Sequence, residues 1–343
     1  MPRNEQNAVK EHSDMDKITL DTKLADIWDL PEMEPYYKYM LYTPHEIYNN
    51  SPFANGTVKD LGIIGWKPEG ILAGLRFFLE KIDGGRVEQY RIYPGTDDPY
   101  KMDVNLIQIS PETPDAGRPF IVLCAGGGYK SVCTLVESLP TAAHMVRAGY
   151  TVFLLTYRVD VPAAAVLALD DMAEAVKWLF GHARELGINP SLYAVGGWSA
   201  GANLVSNWGC ANIGWKRFGA PKPLCMFPIY TVVDIKSEAS RNENGGFARA
   251  MLGDAWREKL DSFNVVDHID GDYPPCYIVC GRDDKVVPPV NSEMMKAQLD
   301  AAGVPAVLEE GEHAFHGFGD GLDTDVEGWP ERALAFTERL AKR

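Results

Sequence analysis

The sequence predicts an α/β fold: a mostly parallel central sheet with helices on both faces, spanning residues 87–343 behind an N-terminal extension. Three observations lead there. Strand-like and helix-like segments alternate from about residue 87 to the end. Two of the strand-like runs, PFIVLCA and TVFLLTYRV, are apolar throughout, as strands buried on both faces are. The chain's 343 residues, 46% hydrophobic and 24% charged, are enough for one large core.

Taken in order, residues 1–20 are charged and aperiodic and read as a disordered tail. Residues 21–86 read as an ordered extension. LADIWDLPEMEPYYKYMLY is rich in aromatics, and GILAGLRFFLEKI has helical spacing. The segment is small for a core of its own, so it is expected to pack on the main domain as part of a cap or as a dimer contact. VEQYRIYP and VNLIQIS are alternating strands around the turn-rich GTDDPYKMD. PFIVLCA, the helix-like VESLPTAAHMVRAG and TVFLLTYRV follow. ALDDMAEAVKWLFGHARELG reads as an amphipathic helix with acids in its first turn and Gly187 past its last. Next come the strand SLYAVGGW and the helix AGANLVSNWGC, then the strands PLCMFPIYTVV and PPCYIVCG. NSEMMKAQLDAAG and WPERALAFTERLAKR close the chain as helices. Asp234 to Asp272, about 234–272, is too long for an ordinary connection. It is expected to lie over the carboxyl edge of the sheet as a partly mobile cover.

Charge narrows the partners. With 48 acidic and 33 basic residues the net charge is -15, which repels nucleic-acid backbones and anionic lipid surfaces. No apolar stretch reaches membrane-span length, and the polar N-terminus lacks the apolar core of a signal peptide. The six cysteines form no Cys-x-x-Cys pair and read as reduced structural thiols, which leads to the expectation of a cytoplasmic protein. No clustered metal-ligand spacing is visible, so neither metal nor cofactor is expected.

Ligand sites of open α/β sheets lie beyond the carboxyl ends of the strands. The stretch VGGWSAGANL places Ser199 there, at a strand-to-helix junction. Taken alone it reads equally as a helix N-cap or as a nucleophile on a strained turn. Its neighbours at the same edge shift the balance. Gly126-Gly127-Gly128 follows one strand, Arg282-Asp283-Asp284 another, and Glu312-His313-Ala314-Phe315-His316 a third. Serine needs a base to take its proton, and both His313 and His316 lie in the right loop. His316, followed by Gly-Phe-Gly, is preferred. An acid must orient the imidazole. Asp284 is preferred over Asp283 because it stands at the turn before Pro288. The N–H groups of Gly127, Gly128 and Ala200 are the candidate oxyanion donors. The chain order Ser199, Asp284, His316 is that of the α/β-hydrolases.

From about residue 88 onward the chain resembles that superfamily, within its esterase/lipase group. It is most like bacterial acetylxylan-esterase-like and feruloyl-esterase-like enzymes. CAGGGYKSV, GYTVFLLTYRV, GGWSAGANL, GRDDKVVPPVNS and HGFGDGLDTDVEGWPERALAF carry the likeness. The resemblance implies the catalytic roles for Ser199, Asp284 and His316, and the oxyanion roles for Gly127, Gly128 and Ala200. The implied substrate is a small-molecule or oligosaccharide ester: an acetyl or hydroxycinnamoyl ester of plant-type carbohydrate, cleaved through an acyl-enzyme. The alternatives are an aryl formamidase or small-amide hydrolase and, from another class, an inactive binding protein. Two positions depart from the pattern. Ala125 stands where many relatives have histidine or proline, and Trp198 precedes the serine.

Overall fold

The computed structural model describes residues 17–44, 55–241 and 244–342. Eight strands build one sheet: β1 (Val87–Arg91), β2 (Asn105–Ile109), β3 (Phe120–Cys124), β4 (Val152–Thr156), β5 (Tyr193–Trp198), β6 (Cys225–Ile229), β7 (Cys276–Gly281) and β8 (Ala306–Gly311). Their spatial order is β1-β2-β4-β3-β5-β6-β7-β8. The pairs from β4 to β8 are parallel, and β1 and β2 join antiparallel at one edge. Strands β2 to β7 are buried along their whole length, whereas the outermost β1 and β8 are partly exposed. The apolar runs thus fall on the interior strands, where both faces must be covered.

Eleven helices are described, from α1 (Leu24–Trp28) and α2 (Tyr37–Met40) through α3 (Pro68–Asp83), α4 (Ser138–Arg147), α5 (Ala164–Gly181) and α6 (Ala200–Gly209). Then come α7 (Ile235–Ser240), α8 (Gly246–Leu252), α9 (Trp256–Lys259), α10 (Val290–Ala301) and α11 (Trp329–Ala341). The chain steps from β3 to β4 in one direction across the sheet and from β4 to β5 in the other. Right-handed crossovers then put α4 on one face and α5, α6 and α10 on the opposite one. Helix α4 packs with α3 and α11, and α5 packs with α6. The reversal leaves a crevice between the carboxyl ends of β3 and β5, which is where such sheets bind ligands.

Two expectations need adjusting. The helix expected from Ala168 begins earlier, at Ala164, and ends at Gly181. Asp170 and Asp171 therefore fall inside it rather than in its first turn, and Asp171 is buried against the Arg158 guanidinium. Gly187 ends a separate turn. Of the expected tail, residues 1–16 lie outside the described residues. Ile18 is already buried, its carbonyl accepting hydrogen bonds from Arg76. The 234–272 segment holds α7, α8 and α9, with Ala248, Met251, Leu252 and Trp256 buried. Its small apolar residues are the inward face of a helical cover, since α8 rests on α5.

Among the described residues the extension has no separate core. Leu24, Ile27, Met33, Tyr36, Met40, Val58 and Leu61 join the same hydrophobic cluster as the sheet. Tyr42 pairs with Val132 through backbone hydrogen bonds in both directions, and the Leu135 N–H donates to the Met40 carbonyl. The aromatic stretch thus braces the turn that leads out of the glycine run.

Candidate active site

Ser199 stands between β5 and α6 with φ 52° and ψ −116°, a conformation few non-glycine residues adopt. Its backbone N–H donates to the Ile229 carbonyl and its carbonyl accepts from the Asn203 N–H. Small neighbours make this sharp turn feasible. A Cβ on Gly201 would lie 2.0 Å from the Cys124 carbonyl oxygen. The hydroxyl caps no helix N–H. It lies 3.1 Å from Nε2 of His316 instead, so the N-cap reading fails and the serine projects into the crevice.

The histidine and acid complete a chain of contacts. Nδ1 of His316 is 2.7 Å from Oδ2 of Asp284. The Asp284 side chain is fully buried, and that of His316 is 10% exposed. The other Asp284 oxygen accepts the N–H groups of Val286 and Val287, each at 2.8 Å. The acid is thereby held in one orientation and presents one oxygen to the ring. With Nδ1 carrying the proton toward Asp284, Nε2 is free to accept from Ser199.

The competing residues go elsewhere. His313 is 79% exposed and its ring stands 3.8 Å from Asp283. Asp283 accepts the Ala314 N–H. His144 contacts Asp320 and Glu331, His182 stacks on Trp178, and His268 meets the Asp261 carbonyl. His12 and His45 lie outside the described residues.

The loop after β3 meets the serine turn. Gly128 and Ser199 line the same cavity. The Gly127 carbonyl accepts from the N–H groups of Lys130 and Ser131, which folds the loop tightly. Among the described residues the backbone N–H groups of Gly127, Gly128 and Ala200 have no protein acceptor. That of Gly126 is taken by Oε2 of Glu137 at 2.5 Å.

Three contributors were not singled out in the sequence. Glu137 is buried, and burial raises its carboxyl to about 6. Tyr230 donates its O–H to Oε1 of Glu137 and lays its ring 4.6 Å from that of His316. Burial pushes its phenol well above the usual value. Tyr157 holds the Ala125 carbonyl through its O–H at 2.6 Å. A sequence signal did exist for the first: Glu137 is the one acid in the otherwise uncharged run SVCTLVESLP. The departing residue Trp198 does not line the cavity. Its indole N–H donates to the Gly319 carbonyl, as does that of Trp329, so it supports the histidine loop.

Over Ser199 opens a cavity of about 430 Å³. Phe247, Val286, Val290 and Met294 give it apolar walls, and Asp234, Glu238 and Arg241 stand among its polar groups. Its cover comes from α7 and α8 of the insertion. None of residues 28–42 lines it. Another part of the extension does reach the site region: Ile64, Gly65 and Trp66 lie against the chain at Phe315, His316 and Gly317.

A parallel sheet with a serine at this strained turn, followed along the chain by an acid and a histidine, defines the α/β-hydrolase fold class. The family profile described as BD-FAE matches residues 106–299, and the chain belongs to that family. Among solved structures, it is similar to an acetyl ester-xyloside bifunctional hydrolase from Caldicellulosiruptor lactoaceticus. The identity is 23% and the TM-score 0.64, covering 74% of this chain and 97% of that one. Esterase B from Lactobacillus rhamnosis is 19% identical with a TM-score of 0.62, covering 80% and 96% respectively. The chain is also 24% identical over 245 residues to endo-1,4-beta-xylanase B of Butyrivibrio fibrisolvens. That match takes in 67% of this chain but only 37% of the relative's length.

Proposed function

We propose that the protein is a serine carboxylic ester hydrolase acting through an acyl-enzyme. Ser199 attacks the ester carbonyl, and His316 takes its proton and returns it to the leaving alkoxide. Asp284 fixes the tautomer of His316 and stabilises the imidazolium that forms. The N–H groups of Gly127, Gly128 and Ala200 receive the oxyanion, each such donor being worth about 2.7–4 kcal/mol in the transition state. Water then enters by the same proton path and releases the acid.

The observation that carries this reading is the continuous Ser199–His316–Asp284 contact, at 3.1 and 2.7 Å, on a serine held at positive φ. Strain of this kind persists where the surroundings enforce it, and it keeps the hydroxyl exposed above the sheet edge.

For substrate, we infer an acyl ester of a plant-type oligosaccharide, the acyl group being acetyl or hydroxycinnamoyl. Two relatives bear on this: one is an acetyl ester-xyloside bifunctional hydrolase and the other a xylanase. The cavity is many times larger than an acetyl group. It has apolar wall for a ring and polar groups for sugar hydroxyls.

The test is a p-nitrophenyl ester series from acetate upward, run beside acetylated and feruloylated xylo-oligosaccharides, with fluorophosphonate labelling. Ester turnover is expected, together with a label on Ser199 that Ser199→Ala abolishes. Inertness toward all esters with no label on Ser199 overturns the proposal. Turnover of aryl formamides or small amides in preference to every ester redirects it.

A further inference from the structure

The mechanism above leaves two buried acids unused, Asp171, which is paired with Arg158, and Glu137. Glu137 sits immediately before α4, 3% exposed, and among the described residues no lysine or arginine pairs with it. A carboxylate in such a place is costly unless its oxygens are satisfied. Both are: Oε2 by the Gly126 N–H at 2.5 Å and Oε1 by the Tyr230 O–H at 3.0 Å. These two donors belong to opposite sides of the catalytic centre. Gly126 opens the glycine run that is to supply oxyanion donors. It is wedged so closely that a Cβ on it would come within 2.9 Å of both Oε2 of Glu137 and Cβ of Ser199. Tyr230 follows β6 at φ 38°, another enforced conformation, and its ring backs onto that of His316.

We propose that Glu137 is a positioning residue of the catalytic centre, whose ionised carboxylate ties the glycine loop to Tyr230 and through it seats His316 against Ser199. The inference rests on the ester-hydrolase reading and deepens it. A proton on Glu137 would have to sit on an oxygen already facing a donor. That oxygen would then accept more weakly from Gly126 or Tyr230, loosening the tie. The titratable groups facing Glu137 are Tyr230 after β6, Tyr157 after β4 and His316 after β8, with Asp284 beyond the histidine. Cys124 of β3 and Cys133 of the loop lie in the same neighbourhood, and both are buried. His316 is the one group among them that gains positive charge in the reaction, and the Glu137 carboxylate favours that charge. The Glu137 carboxyl is raised to about 6 by burial, so its ionisation falls within an accessible pH range.

The experiment compares wild type, Glu137→Gln and Tyr230→Phe on p-nitrophenyl acetate over pH 4.5–8, with fluorophosphonate labelling rates alongside. Glutamine keeps the volume and removes the charge. Expected for Glu137→Gln is a fall in kcat of about 10- to 100-fold with KM within about twofold, because the loss is confined to the transition state. In wild type the acid limb of log kcat/KM should be steeper than 1 near pH 6, since protonating Glu137 adds its own loss of about 10- to 100-fold to that of the imidazole. In Glu137→Gln that slope should be 1. Tyr230→Phe, which keeps ring and carboxylate, should lose about 5- to 10-fold in kcat and serves if the glutamine variant does not fold. A Glu137→Gln enzyme with wild-type kcat, or with an unaltered acid-limb slope, overturns the proposal while leaving the ester-hydrolase reading intact. A wild-type protein that neither turns over nor labels overturns both.

Discussion

Asp284 and His316 meet at 2.7 Å with side chains 0% and 10% exposed, while Asp283 and His313 stand 3.8 Å apart with 23% and 79% exposed. The two acids are adjacent in sequence and the two histidines are three residues apart. Water separates their fates. An exposed pair is screened and gains little from its attraction, whereas a buried one with every lone pair satisfied is fixed in place. The outer acid is not idle, though. Asp283 holds the Ala314 N–H, and Asp325 holds that of His313, so both fix the backbone that carries His316. The sheet edge thus divides two tasks between neighbouring aspartates, one holding the loop and the other the ring.

The sharpest way to break this contrast is at the histidines. His316→Ala is expected to lower kcat/KM by about 10⁴-fold or more, with His313→Ala within about twofold of wild type. Steady-state kinetics on one activated ester decides it, and equal losses would erase the distinction. The acids come next. Asp284→Asn should cost about 10³- to 10⁴-fold through the wrong tautomer. Asp283→Asn should cost less than tenfold, because an amide oxygen can still accept the Ala314 N–H. Asp283→Ala should instead lower stability by about 1 kcal/mol, seen as a reduced Tm.

A third change sharpens the contrast from the other side of the loop. A Cβ on Gly65 would lie 2.2 Å from the His316 carbonyl oxygen, so Gly65→Ala must displace the histidine loop or the extension. We expect kcat to drop about tenfold with KM little altered, since a misplacement of an ångström far from the bond being broken is enough. An unchanged kcat would mean that the extension yields and has no hold on the catalytic histidine.

How much of this was legible follows the same physical line. The interior strands announced themselves because burial on both faces demands unbroken apolar runs, as in Phe120–Cys124 and Val152–Thr156. Ser199, Asp284 and His316 could be picked out because each stands just past a strand-like run, framed by glycine or proline. The start of α5 was not legible, because its first turn is all apolar and Ala163, before it, is left-handed. Glu137 and Tyr230 were hidden for a different reason. Their partners, Gly126 and His316, lie 11 and 86 residues away, and only the closed sheet edge brings the four together. Nor could the sequence tell that the aromatic stretch of the extension would brace the 132–135 turn while Ile64–Trp66 met the histidine loop.

The smallest expected effect concerns stability rather than rate, and it separates the two kinds of buried acid. Asp284 accepts two backbone N–H groups on one oxygen and the imidazole on the other, whereas Glu137 is raised from 4.5 to about 6, desolvation outweighing its hydrogen bonds. A carboxyl whose folded value lies above its unfolded one binds more protons folded than unfolded between the two values. Its contribution is therefore fully present below about 4.5 and is lost as the pH rises through about 6. A shift of this size amounts to roughly 2 kcal/mol. Glutamine at 137 has no proton to lose. The Tm of wild type should therefore fall relative to that of Glu137→Gln by several degrees between pH 4.5 and 7, whatever the offset between them at the acid end. Other titrating groups, among them His144 with its raised value, are common to both proteins and cancel in the difference. Parallel Tm curves would show that Glu137 titrates alike in the folded and unfolded chains. A difference that grows with pH would instead mark an ionised acid retained at the glycine loop against the interest of stability.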